Sequence, residues 1–295
     1  MPAVIFLSPQ PFAGKTTVVT GLAWRLRAAG RAPGLTRLPG DKAAEADGEL
    51  LSRLSEATGS AAHSTTPDLA LIEAPSGDPR PSLDGHPDAR AVVVGGGPEP
   101  VPTLVDYSRG IGDRLAGVII NKTPARRMDT VRADAEAAGL TVIAVLPEDR
   151  LLAAPVLRDV AGALSAHVEH LGNGGLRPLD RPVIATISAD PGQGYFAHYD
   201  ATAVIVRSDK PDLQLAALNA GASCLIVTGG LPLLSYVLNR AEDDQIPLLR
   251  TGMDTISAVK SIEELFGSLP FAGGDAKLER ISTLLADANI SSLIA

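Results

Sequence analysis

The sequence predicts an α/β protein in which a doubly wound, mostly parallel sheet is followed by a smaller α/β domain. Three observations carry that prediction. Short apolar runs alternate with stretches of helical period along the whole chain. The runs are continuous rather than alternating, as strands covered on both faces require. The 295 residues are 45% hydrophobic and 20% charged, enough for two cores, but only 3% are aromatic, so Ala, Val, Leu and Ile must build them.

In chain order, residues 3–8 (AVIFLS) form the first expected strand. Residues 16–29 then carry helical period up to Gly30, a helix C-cap. Further strands are expected at 69–72, 91–94, 117–120 and 141–145, with helices at 44–57, 101–109 and 125–138. Residues 156–170 read as one more helix closing this unit. Residues 171–182 (LGNGGLRPLDRP) then place three Gly, two Pro and an Asn within twelve positions, which breaks any period. The expected organisation is a first domain at 1–172, a linker at 173–181 and a second domain at 182–295. In the latter, strands are expected at 183–187, 203–206, 224–227 and 247–249, and helices at 213–220, 233–241 and 255–265.

Charge and composition exclude several functions. Net charge is −8, from 34 acidic and 26 basic residues, and no Lys/Arg block opposes it, so no nucleic-acid partner is expected. The one cysteine, Cys224, forms no internal disulfide and supplies no thiolate cluster, which fits a reducing compartment. No signal-peptide core and no apolar run of about 18 residues is found, so the expectation is a cytoplasmic protein without a membrane span.

Residues 8–17 (SPQPFAGKTT) lie between the first strand and the first helix, the context of a phosphate-binding loop. Ala13, Gly14, Lys15, Thr16 and Thr17 are the residues expected to cradle a nucleotide. Gly14 allows close backbone approach, and successive N–H groups with the positive end of the helix dipole surround the anion. Lys15 reaches the β- and γ-phosphates, and the Thr16 hydroxyl ligates Mg²⁺. The pattern G-x-x-x-x-G-K-[ST] asks for glycine where this chain has Pro9, and Pro11 follows two residues on. Neither proline donates an N–H, but residues 12–17 all keep theirs, so the expected loop is rigidified rather than dead. The plainer alternative is an ordinary helix start with Thr16 and Thr17 near the N-cap.

Two acids stand where a metal site is completed. Glu73 ends the apolar run DLALIE at 68–73, and Asp47 lies in EADGE at 45–49, near a helix start. Mg²⁺ takes one or two carboxylates together with phosphate oxygens and waters, so Thr16, Asp47 and Glu73 suffice. Helix capping by Asp47 and solvent exposure of Glu73 are the alternatives. Asn121 follows the strand at 117–120, at the ligand-binding end of an open sheet, where its amide offers a purine both donor and acceptor. A turn-forming Asn is the alternative there.

Together these residues resemble a known family. Residues 1 to about 170 resemble the dethiobiotin synthetase-like P-loop NTPase domain at the front of long phosphate acetyltransferases. The likeness lies in Gly14-Lys-Thr16, Asp47, Glu73-Ala-Pro-Ser-Gly77 and Gly117-Val-Ile-Ile-Asn-Lys122. It implies that Asp47 and Glu73 help hold Mg²⁺-ATP and that Asn121 reads adenine. The synthetases also use a catalytic lysine after the second strand. The corresponding stretch here, 34–39 (GLTRLP), has Arg37, and a guanidinium does not reproduce a flexible ammonium. Residues 182–290 resemble the DRTGG domain that follows in those enzymes, through Asp209-Lys210, with Lys210 in place of the usual arginine, and Thr228-Gly-Gly230. Their acetyl-transferring segment has no counterpart before Ala295, so acetyltransferase activity is not expected.

The expected function is a nucleotide-binding regulatory or sensory protein that takes ATP or another purine nucleotide with Mg²⁺. Weak ATPase or ligase turnover stays open. The resemblance implies a homo-oligomer and a protein partner in central carbon metabolism. Two alternatives stand beside this: an ATP-dependent carboxylate ligase of the dethiobiotin synthetase type, and a partner-binding module with a degenerate loop, supported by Pro9 and Pro11. His167 and His170, three apart on the expected helix, lack a third zinc ligand. Cys224 lies in an apolar run, where thiols are inert.

Overall fold

The computed structural model describes residues 1–40, 44–56, 67–97, 100–172, 174–185, 196 and 203–288. Strand β1 (Ala3–Leu7) shows why its residues are apolar without interruption. Val4 and Phe6 join one core, Ile5 and Leu7 another, so the strand is covered on both faces.

The chain continues through α1 (Lys15–Ala28), β2 (Pro33–Arg37), α2 (Ala44–Glu56), β3 (Leu69–Glu73), α3 (Arg80–Asp84) and β4 (Arg90–Gly96). It goes on through α4 (Pro100–Arg109), β5 (Leu115–Thr123), α5 (Met128–Ala137), β6 (Val142–Pro147) and α6 (Arg150–Ala153). The six strands form one sheet in the order β2-β3-β1-β4-β5-β6, and every neighbouring pair is parallel. Strand order reverses beside β1, which makes the carboxyl end of β1 the crevice where open sheets of this kind bind ligands.

A second compact unit spans residues 153–274. It comprises α7 (Leu157–Ala163), β7 (His167–His170), β8 (Val183–Ile184), β9 (Ala203–Arg207), α8 (Pro211–Asn219), β10 (Cys224–Thr228), α9 (Ser235–Asp243), β11 (Leu248–Arg250) and α10 (Thr255–Leu265). Its sheet runs β7-β11-β10-β9-β8, parallel except for the β7 edge, and it too has a core on each face. Buried Cys224 belongs to one of them, and burial pushes its thiol up to about 12.

The chain then returns to the first unit, which consists of residues 1–152 and 275–295. Helix α11 (Asp275–Leu284) packs against α1. Ile281 fits over Gly21, where an added Cβ would come within 2.6 Å of it. Ile281 and Leu285 share a core with Val18 and Leu22. Asp149 accepts from the Leu152 amide at 3.0 Å and pairs with Arg280 at 2.7 Å, while Lys277 donates to the Leu152 carbonyl at 3.2 Å.

Two expectations need revision. Residues 156–170 are not one helix: α7 stops, Ser165 adopts φ +43, and His167–His170 form a strand, so the two histidines share no helix face. The expected linker at 173–181 falls inside the second unit. Buried Gly174 lies against Pro247, where a Cβ would come within 2.5 Å, and the Leu179 amide donates to the Pro155 carbonyl at 2.9 Å. Glycine here serves close packing, and its composition imitates a linker. Among the described residues no helix is long and apolar enough to cross a membrane.

Candidate functional site

The loop leaving β1 turns into α1 through Gly14, which sits at the N-cap with φ +88 and ψ +29. That left-handed conformation suits glycine alone among common residues. No side chain caps the helix and its first turn holds no acid, so its first amides are left for the loop. Phe12, two residues earlier, also has a positive φ of 58° and is exposed. Ala13 is buried, and Thr17, in the first turn of α1, is half-buried.

Lys15 is only 6% exposed. Its ammonium donates to the Ser8 hydroxyl at 2.6 Å and to the Ser76 hydroxyl at 2.7 Å. The next residue, Thr16, donates from its hydroxyl to Glu73 Oε1 at 2.9 Å. Thr16 and Thr17 do lie in the first turn beside the Gly14 N-cap, but the Thr16 hydroxyl reaches across to β3.

Glu73, at the end of β3, and Asp47, in the first turns of α2, are both buried. Arg37, which ends β2, brings them together: its Nε lies 3.7 Å from Asp47 Oδ2 and 3.7 Å from Glu73 Oε1. The same guanidinium donates through Nη1 to the Leu38 carbonyl at 2.8 Å. Burial, reinforced by the Asp47 charge, pushes the Glu73 carboxyl up to about 7 against the opposing pull of Arg37, Thr16 and Lys15.

A raised carboxylate pKa has a definite sign. Between pH 4.5 and about 7 the folded protein holds a proton that the unfolded chain has released, so stability falls as pH rises through that window. Glu73→Gln removes the titration. Melting temperatures from pH 5 to 8 should therefore decline in the wild type relative to the variant. Parallel curves for the two proteins would show that Glu73 ionises at its ordinary value.

Asn121 lies within β5, which runs on to Thr123, instead of following a strand that ends at 120, and it does something sequence reasoning missed. Its buried amide donates to the Ala13 carbonyl at 3.0 Å, bracing the loop from beneath. Two glycines make room for it. A Cβ on Gly14 would lie 2.2 Å from Asn121 Nδ2, and one on Gly96 would lie 2.6 Å from the Asn121 carbonyl. Ser8 and Ser76 were also missed as partners of Lys15; the available signal was a hydroxyl ending an otherwise apolar strand.

The residues present fit a divalent cation held jointly with phosphate. Glu73 Oε2 is buried with no hydrogen-bond partner among the described residues, and a second carboxylate, Asp47, lies close enough to add to the cost of its charge. Two carboxylates and a hydroxyl are hard oxygen donors suited to Mg²⁺. Among the described residues no three His, Cys, Asp or Glu side chains converge, so phosphate oxygens would have to complete the coordination.

In the second unit, Asp209 and Lys210 follow β9, and Thr228 ends β10. Arg207 holds Asp209 through two hydrogen bonds of 2.9 and 2.6 Å. Gly229 and Gly230, both with positive φ, donate their amides to the Met253 and Thr251 carbonyls at 2.8 and 3.1 Å. A Cβ on Gly230 would stand 3.3 Å from the Gly252 Cα, so the glycine pair lets the ends of β10 and β11 close on each other.

Residues 159–265 match the model of the DRTGG domain family, so the second unit contains a DRTGG domain. One similar solved structure comprises the CBS and DRTGG domains of the regulatory region of Clostridium perfringens pyrophosphatase, complexed with its activator diadenosine tetraphosphate. It shares 18% identity with this chain at a TM-score of 0.35. The match covers 48% of this chain and 56% of that one, so the chain spans little more than half the length of the protein it matches.

Proposed function

We propose, with the DRTGG domain as premise, that this protein is a nucleotide-binding regulatory protein whose first unit binds ATP, or another purine nucleotide, with Mg²⁺. The observation that carries this reading is the left-handed Gly14 at an uncapped helix start, next to a buried lysine and to a threonine bonded to a buried carboxylate. The parallel order β2-β3-β1-β4-β5-β6, with the loop at its reversal point, supports a P-loop domain of the dethiobiotin synthetase type.

In this reading the amides of residues 13–17 and the Lys15 ammonium bind the phosphates. Thr16, Asp47 and Glu73 hold the metal, which when bound offsets phosphate charge. Asn121 keeps the loop open by fixing Ala13. We do not assign carboxylate ligation, because Arg37 is held between two acids and a carbonyl instead of standing free as a mobile ammonium. The reading includes a homo-oligomer, which sedimentation velocity tests. Exposed Leu231, Leu234 and Tyr236 on the second unit support it.

Calorimetric titration of ATP and GTP, with and without Mg²⁺, tests the reading directly. The wild type should bind in a Mg²⁺-dependent manner, and Lys15→Ala should weaken binding by about 30- to 100-fold, the worth of a charge-assisted contact. Absence of binding by the folded wild type would sink it and favour the degenerate-loop alternative.

A further inference from the structure

A buried ammonium must find hydrogen-bond partners. Two of the groups that hold Lys15 are hydroxyls from different elements: Ser8, just past β1, and Ser76, in the loop after β3. The two hydroxyls also lie 3.1 Å apart, and Ser8 donates to the Gln10 carbonyl at 2.9 Å. The Ser76 loop is anchored independently of the lysine. Gly77 donates its amide to the Ser8 carbonyl at 3.0 Å, and the Tyr107 hydroxyl donates to the Gly77 carbonyl at 2.7 Å. Ser8 is fully buried, whereas Ser76 is half-buried on the accessible side.

A hydroxyl is a neutral acceptor, so an incoming phosphate oxygen, which is charged, is a stronger partner for the ammonium than Ser76. We propose that Ser8 and Ser76 form a resting place for the Lys15 ammonium, and that a nucleotide phosphate takes the lysine from Ser76. This rests on the nucleotide reading above and adds the regulation of that site. Ser76 is a positioning residue that acts through Lys15. It stabilises the ligand-free protein and thereby weakens nucleotide binding. Ser8, which has no exposure, stays with the loop in both states.

The test is a double-mutant cycle in the full chain with Ser76→Ala, Ser76→Thr, Lys15→Ala and the Ser76→Ala/Lys15→Ala pair. ATP affinity with Mg²⁺ is measured by calorimetry, and the melting temperature is measured without ligand. Ser76→Ala should bind ATP about three- to tenfold more tightly and melt lower when ligand-free, while Ser76→Thr should match the wild type. In the Lys15→Ala background, Ser76→Ala should no longer change the melting temperature. Equal or weaker ATP binding by Ser76→Ala, with a binding wild type, overturns the proposal and leaves the nucleotide reading standing. So does an equal melting shift in both backgrounds, which would make Ser76 an ordinary structural hydroxyl. A folded wild type that binds no nucleotide removes both.

Discussion

Removing residues 275–295 should unfold the first unit and leave the second folded. Helix α11 supplies Leu278, Ile281 and, just beyond its end, Leu285, each at most 2% exposed. Burying one such side chain contributes about 1.5–3 kcal/mol, so the three together contribute about 5–9 kcal/mol, comparable to the whole stability of a typical domain. Neither core of the second unit draws on a residue after 274. The single tryptophan, Trp24, lies on α1 and reports on the first unit alone. The truncated chain should show denatured-like Trp24 emission and no nucleotide binding, while circular dichroism retains a cooperative transition. Native Trp24 emission after truncation would mean that α11 is dispensable to the helix it packs against.

Gly14→Ala is expected to have the second-largest effect, through two separable causes. The first is the φ of +88, which costs an L-residue about 1–2 kcal/mol. The second is contact: the new methyl would lie 2.2 Å from Asn121 Nδ2. Relieving that contact means turning the Asn121 side chain away from the loop, since its Nδ2 is the atom that meets the methyl. The amide must therefore release the Ala13 carbonyl, and the loop loses its brace. A total loss of about 2–4 kcal/mol in stability and at least about 100-fold in ATP affinity is expected from melts and calorimetry. Gly30→Ala is the control: its φ is +78 but an added methyl meets open space, so it should show the strain alone with ATP affinity intact. Equal behaviour of the two variants would mean that the Asn121 contact has no part in binding.

Much of this architecture was legible locally. Unbroken apolar runs such as AVIFL and LALIE can be buried only on two faces, and that is enough for the class of fold. The loop was legible because its chemistry is contiguous: glycine, lysine and threonine follow one another between a strand and a helix. Asp47 and Glu73 stand in the sequence as acids near a helix start and a strand end, and both are buried in one cluster. Arg37 was noticed as a departure from a resemblance, but its position between those acids follows from β2 and β3 lying side by side, with Arg37 in register with Glu73.

By itself, then, the sequence determined the α/β class, the alternation of strands and helices over most of the chain, the loop between β1 and α1, and the DRTGG character of the second unit, because each depends on residues close together in the chain. Only the tertiary structure decided that a glycine- and proline-rich stretch packs inside a unit, that His167 and His170 lie on a strand, and that α11 packs against α1. It also decided which hydroxyls hold Lys15 and what Asn121 braces. Those outcomes depend on partners up to 260 residues apart, such as Gly21 and Ile281, and local propensity carries no record of which distant surface a segment will bury against.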